Sequence, residues 1–310
     1  MPRRSRLALL LLLLGALQAA AAIGWFAWRA PHSGLQAALG AVVILLAGPI
    51  VLAVELVLLV IVDRGTATAP RPDLRQLFGA WLRETCFFYQ VFYWRQPLRW
   101  RSQPDFLDPS SRGRRGVVFV HGFMCNRGFW TPWMRELRQL GHPHLAINLE
   151  PVFAPLDEHA VAIEEAVTRM HTVTGQPVMV VAHSMGGLAV RAWLRATPDP
   201  GRVLRVVTIA SPHQGTWLAR FSGKPNGRQM RQNSAWLRRL ADDERARPRP
   251  PWTCWYGTCD NVVFPVASAT LPDADNQALP GFPHVALAFS PAVFRHTVLV
   301  LASPVQTLSK

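Results

Sequence analysis

The stretch QPVMVVAHSMGGLAVRAW, residues 176–193, decides the fold of this chain. Residues 177–182 form a short apolar run rich in valine, which predicts a buried strand. A helical pattern follows at once, so Ser184 lies on the turn between strand and helix. Small residues flank it at Ala182 and Gly186. A turn this tight needs them, because larger side chains would not fit beside the serine.

This position gives Ser184 the surroundings of a nucleophile. A strand-to-helix turn pushes the serine oxygen out of the sheet. The N-terminus of the following helix adds partial positive charge and free N–H groups close to any oxyanion that develops there. We therefore interpret Ser184 as a catalytic nucleophile.

Strands and helices also alternate on both sides of this turn. The predicted strands are residues 116–120, 144–148, 177–182, 203–210 and 252–257. The predicted helices are residues 127–140, residues 156–172, a segment from Ser184 to about Ala196, and a last segment near residues 292–301. Such alternation favours the α/β class, with a mainly parallel sheet and helices on both faces.

A serine nucleophile needs an imidazole base, and the base needs an orienting carboxylate. The predicted strand 252–257 ends just before Asp260, which places a carboxylate past a strand end and makes it our candidate acid. Asp273 and Asp275 are the rivals. They lie in a loop bounded by proline and glycine, with no predicted strand before them, so we favour Asp260.

Three histidines follow the serine in the chain. His284 lies between a Pro/Gly-rich loop and the last predicted helix, which makes it our candidate base. We expect His296, inside that helix, to be structural, and His213 to shape the rim of the site. His183 is next to the nucleophile in sequence but points away on a tight turn, so we expect it to pack or to form hydrogen bonds.

Two further elements of the site follow from the same pattern. The N–H of Met185, after the nucleophile, is one expected oxyanion donor. The other comes from the loop after the first strand, where we favour the N–H of Phe123, with that of Met124 as the alternative. An apolar, arginine-containing insertion at residues 216–240 is either a lid over the site or a core-packed segment. Its candidate lid or substrate contacts are Trp217, Phe221 and Trp236.

These motifs resemble the α/β-hydrolase superfamily, in particular its bacterial lipases and esterases. The resemblance covers residues 116–303 in order. It rests on VFVHGF at 118–123, AHSMGG at 182–187, SPHQGT at 211–216, GTCDNVVFP at 257–265 and the loop around His284. It implies that residues 116–310 form an α/β-hydrolase catalytic domain. It also implies carboxylic ester hydrolysis through an acyl-serine intermediate, without a cofactor, and with oxyanion N–H groups from Phe123 and Met185.

Two apolar runs precede this region, at residues 7–28 and 35–62. A helix needs about 20 apolar residues to cross a bilayer, so each run is long enough. The connector 29–34 is short and contains proline and glycine. These features predict a transmembrane helical hairpin and make residues 1–64 a membrane anchor.

Two details of the runs leave alternatives open. Residues 19–22 are four alanines, which would suit a cleavage site if the first run were a signal peptide. In the second run, burial of the ionisable Glu55 in a membrane would cost free energy. Because residues of this kind often mark functional sites, Glu55 is a functional candidate by default. It lies about two helical turns from Asp63 and could reach the interface, which favours a structural role.

Arginine dominates the charge of the chain. The formal charge is +14, and Lys224 and Lys310 are the only lysines. The arginines are scattered and no nucleic-acid-binding motif accompanies them, so we expect no nucleic-acid partner. Because arginines flank both apolar runs, the charge rule places both chain ends in the cytoplasm. We expect a bacterial-type inner (cytoplasmic) membrane protein with its catalytic domain on the cytoplasmic side.

The aromatic and arginine-rich linker at residues 65–115 is open to two interpretations. It is either a helix at the level of the lipid headgroups or a helix packed on the catalytic domain. The four cysteines have the spacing of neither a zinc site nor a redox pair, and we expect no metal site.

These observations favour a function in the hydrolysis of carboxylic esters with lipid or other apolar acyl groups. The expected partners are this ester substrate and a membrane. The same triad would also serve a thioesterase or an acyltransferase. An alternative of another class is a non-catalytic, membrane-tethered binding protein that keeps the hydrolase fold. The intact set of Ser184, Asp260 and His284 argues against it.

Overall fold

The computed structural model describes residues 5–66, 69–197, 199–245 and 247–303. Within them, the strands are β1 Val117–Val120, β2 His144–Ala146, β3 Val178–His183, β4 Val203–Ile209, β5 Trp252–Gly257 and β6 Asp275–Leu279. The α-helices are α1 Arg6–Arg29, α2 Gly34–Leu45, α3 Ala47–Val62, α4 Leu74–Phe88, α5 Gln96–Leu98, α6 Thr131–Gln139, α7 Ala160–Thr174, α8 Met185–Ala196, α9 Pro225–Gln229, α10 Ala235–Arg245, α11 His284–Leu287 and α12 Pro291–Ala302.

The six strands form one sheet in the order β2-β1-β3-β4-β5-β6, and every neighbouring pair is parallel. The predicted α/β class is therefore confirmed. All residues of β1, β3 and β5 are buried, as expected for strands covered by helices on both faces. Because the strands are parallel, the residues that follow β1, β3 and β5 meet at one edge of the sheet.

The sheet separates two hydrophobic cores. Successive side chains of a strand point to opposite faces. In β1, Val118 and Val120 face one core, while Val117 and Phe119 face the other. Helices α7, α8 and α10 cover the first core, and α6 and α12 cover the second.

Strand β6 was not predicted. Its sequence, DNQAL, has no run of apolar or β-branched residues, and its first residues are exposed. It pairs only with β5, at the edge of the sheet. Asp275 therefore begins a strand instead of lying in the loop that we had expected, because ladder hydrogen bonds with β5 replace the missing side-chain burial.

The second apolar run is not one straight helix. It is broken into α2 and α3, which are bent by 61° at Leu46. Pro49 explains the break, since it has no N–H to donate to the carbonyl of Leu45. That carbonyl instead accepts a hydrogen bond from the Tyr89 hydroxyl at 3.0 Å and one from the Gln18 amide at 3.3 Å. The second apolar run, which we predicted as one helix, is therefore two helices.

By length and composition, α1 is a candidate membrane span, and the α2–α3 pair is a bent one. The segment His284–Ala302 also passes the same criterion. It consists of α11 and α12, whose side chains Val293 and Leu301 lie in the core beneath the sheet. We therefore assign it to the globular domain.

Most of the exposed apolar surface lies in the N-terminal region. Among the residues that the structure describes, all but four of the exposed large apolar side chains fall between Leu9 and Leu98; the four are Leu140, Val161, Phe221 and Leu299. This surface is carried mainly by α1 to α4.

The linker contains α4, a π-helical segment at Tyr89–Arg95 and α5. A capping box between Asp73 and Gln76 begins α4. One face of α4, with Ala80 and Glu84, is buried against the globular domain, while Leu74 and Phe78 are exposed. This helix therefore packs on the domain and also presents apolar side chains outward.

Candidate active site

The structure brings together the three residues that the sequence analysis selected. The Oγ atom of Ser184 lies 2.9 Å from Nε2 of His284. On the other side of the ring, Nδ1 lies 2.9 Å and 3.0 Å from the two carboxylate oxygens of Asp260. All three side chains are buried, Ser184 with 7% of its surface exposed. The arrangement matches a nucleophile, a base and an orienting acid.

The backbone at Ser184 has φ 54° and ψ −130°, a conformation that residues other than glycine rarely adopt. The neighbouring glycines make room for it. A Cβ atom at Gly186 would lie 2.6 Å from the carbonyl oxygen of His121, and one at Gly187 would lie 2.3 Å from Oγ of Ser211. Both contacts are too short for a real side chain, so the turn requires small residues at these positions.

The acid lies in the loop after β5, and the base is the first residue of α11, which follows β6. Asp260 Oδ1 also accepts hydrogen bonds from the N–H groups of Val262 and Val263, at 2.9 Å and 2.7 Å, which fix the carboxylate. Burial acts to lower the pKa of His284. Burial is the largest single effect, but the charge and the hydrogen bond of Asp260 and the charges of Glu84 and Glu55 together outweigh it, so the pKa of this histidine lies above its ordinary value.

The rival acids make their contacts elsewhere. Asp273 has a side chain that is 91% exposed and lies 3.9 Å from Arg249. Asp275 accepts a hydrogen bond from Gln277, and a longer one of 3.4 Å from Thr253. Neither carboxylate contacts His284.

The other histidines also have separate partners. His213 is held by the Thr208 hydroxyl at 2.9 Å, and His296 packs edge-on against Trp255. His183 stacks on Phe129, with ring centroids 4.5 Å apart. Its Nε2 lies 3.2 Å from the carbonyl oxygen of His284, so this side chain supports the loop that carries the base. Burial lowers the pKa of His183 well below its ordinary value, which keeps it neutral.

The two expected oxyanion donors belong to segments that lie against each other. Met185 is the first residue of α8, where N–H groups have no partner within the helix. The loop of Phe123 lies against the serine turn, since a Cβ atom at Gly122 would be 2.8 Å from Cβ of Ser184.

His121 fixes this loop. Its Nδ1 lies 2.9 Å from the carbonyl oxygen of Gly122, and its Nε2 accepts the N–H of Leu149 at 2.9 Å. Burial lowers the pKa of His121 to about 4, so the ring is neutral and can donate on one side and accept on the other.

A cavity of about 370 Å³ lies above the serine. Ser184 and His284 form part of its wall, and Glu55 and Glu84 add two carboxyl groups. The apolar lining comes from both parts of the chain: Leu52, Phe88, Phe92, Phe123, Met124, Leu218, Ala219, Met230, Val262, Val263 and Val285. No arginine or lysine of the described residues lines it.

The three candidate lid residues do not line this cavity. Trp217 stacks on Phe264, with centroids 5.8 Å apart, and Trp236 donates a 2.8 Å hydrogen bond to Asp157. Phe221 is 72% exposed. The insertion reaches the cavity through Thr216, Leu218, Ala219, Ser222, Gly227 and Met230 instead.

Two polar contributors come from the N-terminal region. From the sequence we named Glu55 as a candidate but favoured a structural role for it, and we missed Glu84. Glu84 accepts hydrogen bonds from the N–H groups of Val285 and Ala286, at 2.7 Å and 3.0 Å. Glu55 accepts one of 2.7 Å from the amide of Asn261. The unusual position of Glu55 within an apolar run was a usable signal. Glu84 gave none, because its partners lie about 200 positions away in the chain.

The described residues contain no group of three or more His, Cys, Asp or Glu side chains that could hold a metal ion. The four cysteines, Cys86, Cys125, Cys254 and Cys259, are free thiols.

Comparisons with known proteins agree with this architecture. Among solved structures, the fold is similar to lipase B of Aspergillus fumigatus, at a TM-score of 0.59 and 20% identity, over 66% of this chain and 57% of that one. It is also similar to mature lipase BlEst2 of Bacillus licheniformis, at a TM-score of 0.55 and 17% identity, over 61% of this chain and 92% of that one. The chain thus spans little more than half of the fungal lipase.

The sequence comparisons give one assignment. The search of curated protein sequences found no match. Residues 117–305 match the model of the alpha/beta hydrolase family. Because this match covers more than half of the chain, the protein belongs to the alpha/beta hydrolase family.

Proposed function

We propose that the protein is a serine hydrolase that cleaves carboxylic esters of apolar acyl groups. The observation that carries the proposal is the line of contacts from Asp260 through His284 to Ser184 at the wall of an apolar cavity. Each group has the chemistry and the spacing that ester hydrolysis by a serine requires.

The reaction begins when Nε2 of His284 takes the hydroxyl proton of Ser184 and Oγ attacks the ester carbonyl carbon. The N–H groups of Phe123 and Met185 stabilise the oxyanion of the tetrahedral intermediate. His284 then returns the proton to the leaving alcohol, and an acyl-serine remains. Water, deprotonated by the same histidine, attacks the carbonyl carbon of this acyl-serine. The bond from that carbon to Oγ then breaks, His284 returns the proton to Oγ, and the carboxylic acid is released. Asp260 holds the ring and stabilises its positive charge during both steps.

The apolar lining of the cavity favours an apolar acyl group. A volume of about 370 Å³ lies in the range of small-molecule sites, which bind mainly by apolar contact. The exposed apolar surface of α1 to α4 supports attachment to a membrane, from which such substrates would be supplied. We further propose an inner-membrane location with the hydrolase domain on the cytoplasmic side.

The test is hydrolysis of a p-nitrophenyl ester series, from acetate to palmitate, by the full chain in detergent micelles. We expect turnover by the wild type, and losses of kcat of about 10³-fold or more in Ser184→Ala and His284→Ala. Ser110→Ala, at an exposed serine, is the matched control and should keep wild-type activity.

Two outcomes would contradict the proposal in different ways. If the wild type turned over no ester but a fluorophosphonate still labelled Ser184, the nucleophile would stand and the ester substrate would be wrong. If Ser184→Ala kept full activity, the nucleophile itself would be wrong. Faster turnover of a matched thioester series would favour a thioesterase.

A further inference from the structure

Resting on this proposed function, we propose that Glu84 of α4 and Glu55 of α3 are positioning residues for His284. The N-terminal apolar region would then be part of the catalytic machinery, in addition to any role as an anchor. Neither glutamate touches the reacting atoms. Each acts through hydrogen bonds to the loops that carry the base and its acid.

Glu84 holds the chain directly after the base. Only 1% of its surface is exposed, and both carboxylate oxygens accept backbone N–H groups, from Val285 and Ala286. Burial of a carboxylate costs free energy unless such donors compensate for the lost water. The Glu84 carboxylate and the backbone N–H groups after His284 therefore stabilise each other. The neighbouring Arg83 donates a 3.0 Å hydrogen bond to the carbonyl of Gly281, before the base. Helix α4 therefore forms hydrogen bonds with the chain on both sides of His284.

Glu55 acts through Asn261, the residue after the acid. The Asn261 amide nitrogen donates to Glu55 at 2.7 Å, and its amide oxygen accepts the backbone N–H of His284 at 3.3 Å. The carboxylate thus fixes which way the amide faces, because only its oxygen can accept the histidine N–H. One side chain of α3 consequently ties the acid loop to the base loop.

Four titratable groups on different elements face His284. Asp260 follows β5, Glu84 belongs to α4, Glu55 to α3, and the neutral His183 ends β3. Burial acts to lower the pKa of His284, and the three carboxyl groups raise it above the ordinary value. Burial raises the pKa of Glu84 to about 7, so this side chain carries its charge mainly above that pH. Removal of the charge of Glu84, or of that of Glu55, should therefore lower the pKa of the base.

The same two helices carry apolar side chains on their outer faces. In α3, Val54 and Val57 are exposed, and in α4, Phe78 and Leu82 are exposed. The helices that would meet lipid are thus the helices that hold the base. The position of the N-terminal region in the membrane would therefore directly affect the geometry of the active site.

The experiment compares the full-length wild type in detergent micelles with Glu84→Gln and Glu55→Gln. Glu165→Gln, an exposed glutamate on α7, is the control with the same loss of charge. With p-nitrophenyl acetate, we expect Glu84→Gln to lower kcat about 10-fold, because a buried N–H loses its acceptor. KM should stay within about twofold: both glutamates line the cavity, but glutamine keeps the shape of the side chain there. The acid limb of kcat/KM should shift to lower pH in both variants and stay in place in Glu165→Gln.

Each other outcome is decisive. A wild type with neither hydrolysis nor fluorophosphonate labelling overturns the proposed function itself. An active wild type with wild-type kcat and an unmoved acid limb in both variants overturns only the positioning role. A lower kcat with an unmoved acid limb also overturns it, because loss of folded enzyme scales the rate without changing its pH dependence. If a melting curve shows that Glu84→Gln is unfolded, the acid limb of Glu55→Gln decides alone.

Discussion

Ser184, Asp260 and His284 each follow or adjoin an element whose sequence pattern is strong, and that is why sequence reasoning selected them. Ser184 follows the buried β3, and Asp260 lies just past β5. The glutamates are different. Glu55 and Glu84 contact residues about 200 positions later, and no local pattern encodes such a pairing. Short-range pattern thus predicted the candidate triad but not the groups that surround it.

At the residue scale, the raised pKa of His284 predicts the pH dependence of the reaction. The base acts only when neutral, so kcat/KM should fall as the pH drops through its pKa. Because Asp260 raises that pKa, the midpoint should lie above the ordinary value of about 6.5. Asp260→Asn should move the midpoint to lower pH and reduce kcat by about 10³-fold or more. A pH–rate profile of kcat/KM with a short-chain ester measures both effects.

The control for this prediction is Asp273→Asn. Its carboxylate is a rival from the same part of the sequence, but its side chain is 91% exposed. It should keep the wild-type profile. If Asp273→Asn instead lost activity while Asp260→Asn did not, the assignment of the acid would be wrong.

At the element scale, hydropathy predicted the extent of the second apolar run but not its path. Pro49 breaks the run into α2 and α3, and α3 turns to pack on Tyr256, Val263 and Phe264 of the domain. Composition alone does not distinguish a helix that faces lipid from one that faces a protein core. Strand β6 was not predicted for a related reason. It is stabilised by its pairing with β5, and its own side chains show no strand pattern.

The position of α3 over the cavity predicts an effect on acyl-chain length. Leu52 is buried and lines the cavity, so Leu52→Trp should fill part of it. We expect turnover of p-nitrophenyl palmitate to fall about 10-fold relative to acetate, since a blocked apolar subsite costs one to a few kcal/mol. The ratio of kcat/KM for the two esters is the measurement.

Val54→Trp provides the comparison on the same helix. Val54 is about half exposed and does not line the cavity, so the variant should keep the wild-type ratio. An equal loss in both variants would mean that α3 tolerates no tryptophan, and an unchanged ratio in Leu52→Trp would remove α3 from the acyl site.

At the scale of the whole molecule, the N-terminal region leaves the domain and returns to it. The N-terminus of α1 is fixed to the domain, where the N–H of Arg6 donates to Glu150 at 2.8 Å and the Asn126 amide donates to Ser5 at 3.1 Å. Helix α1 is about 36 Å long, enough to cross a bilayer. Because α3 is again packed on the domain, the connector between α1 and α2 lies at the far end.

This geometry makes the sidedness of the domain testable. If the arginines at the N-terminus stay in the cytoplasm, the domain must lie there too, and only the connector reaches the other side. A fluorescent protein that matures only in the cytoplasm, fused after Lys310, should be bright in a bacterial host. An alkaline phosphatase that folds only outside should be inactive there and active when inserted at His32 in the connector. The opposite pattern would place the domain outside, and cytoplasmic signals at both positions would mean that α1 does not span the membrane.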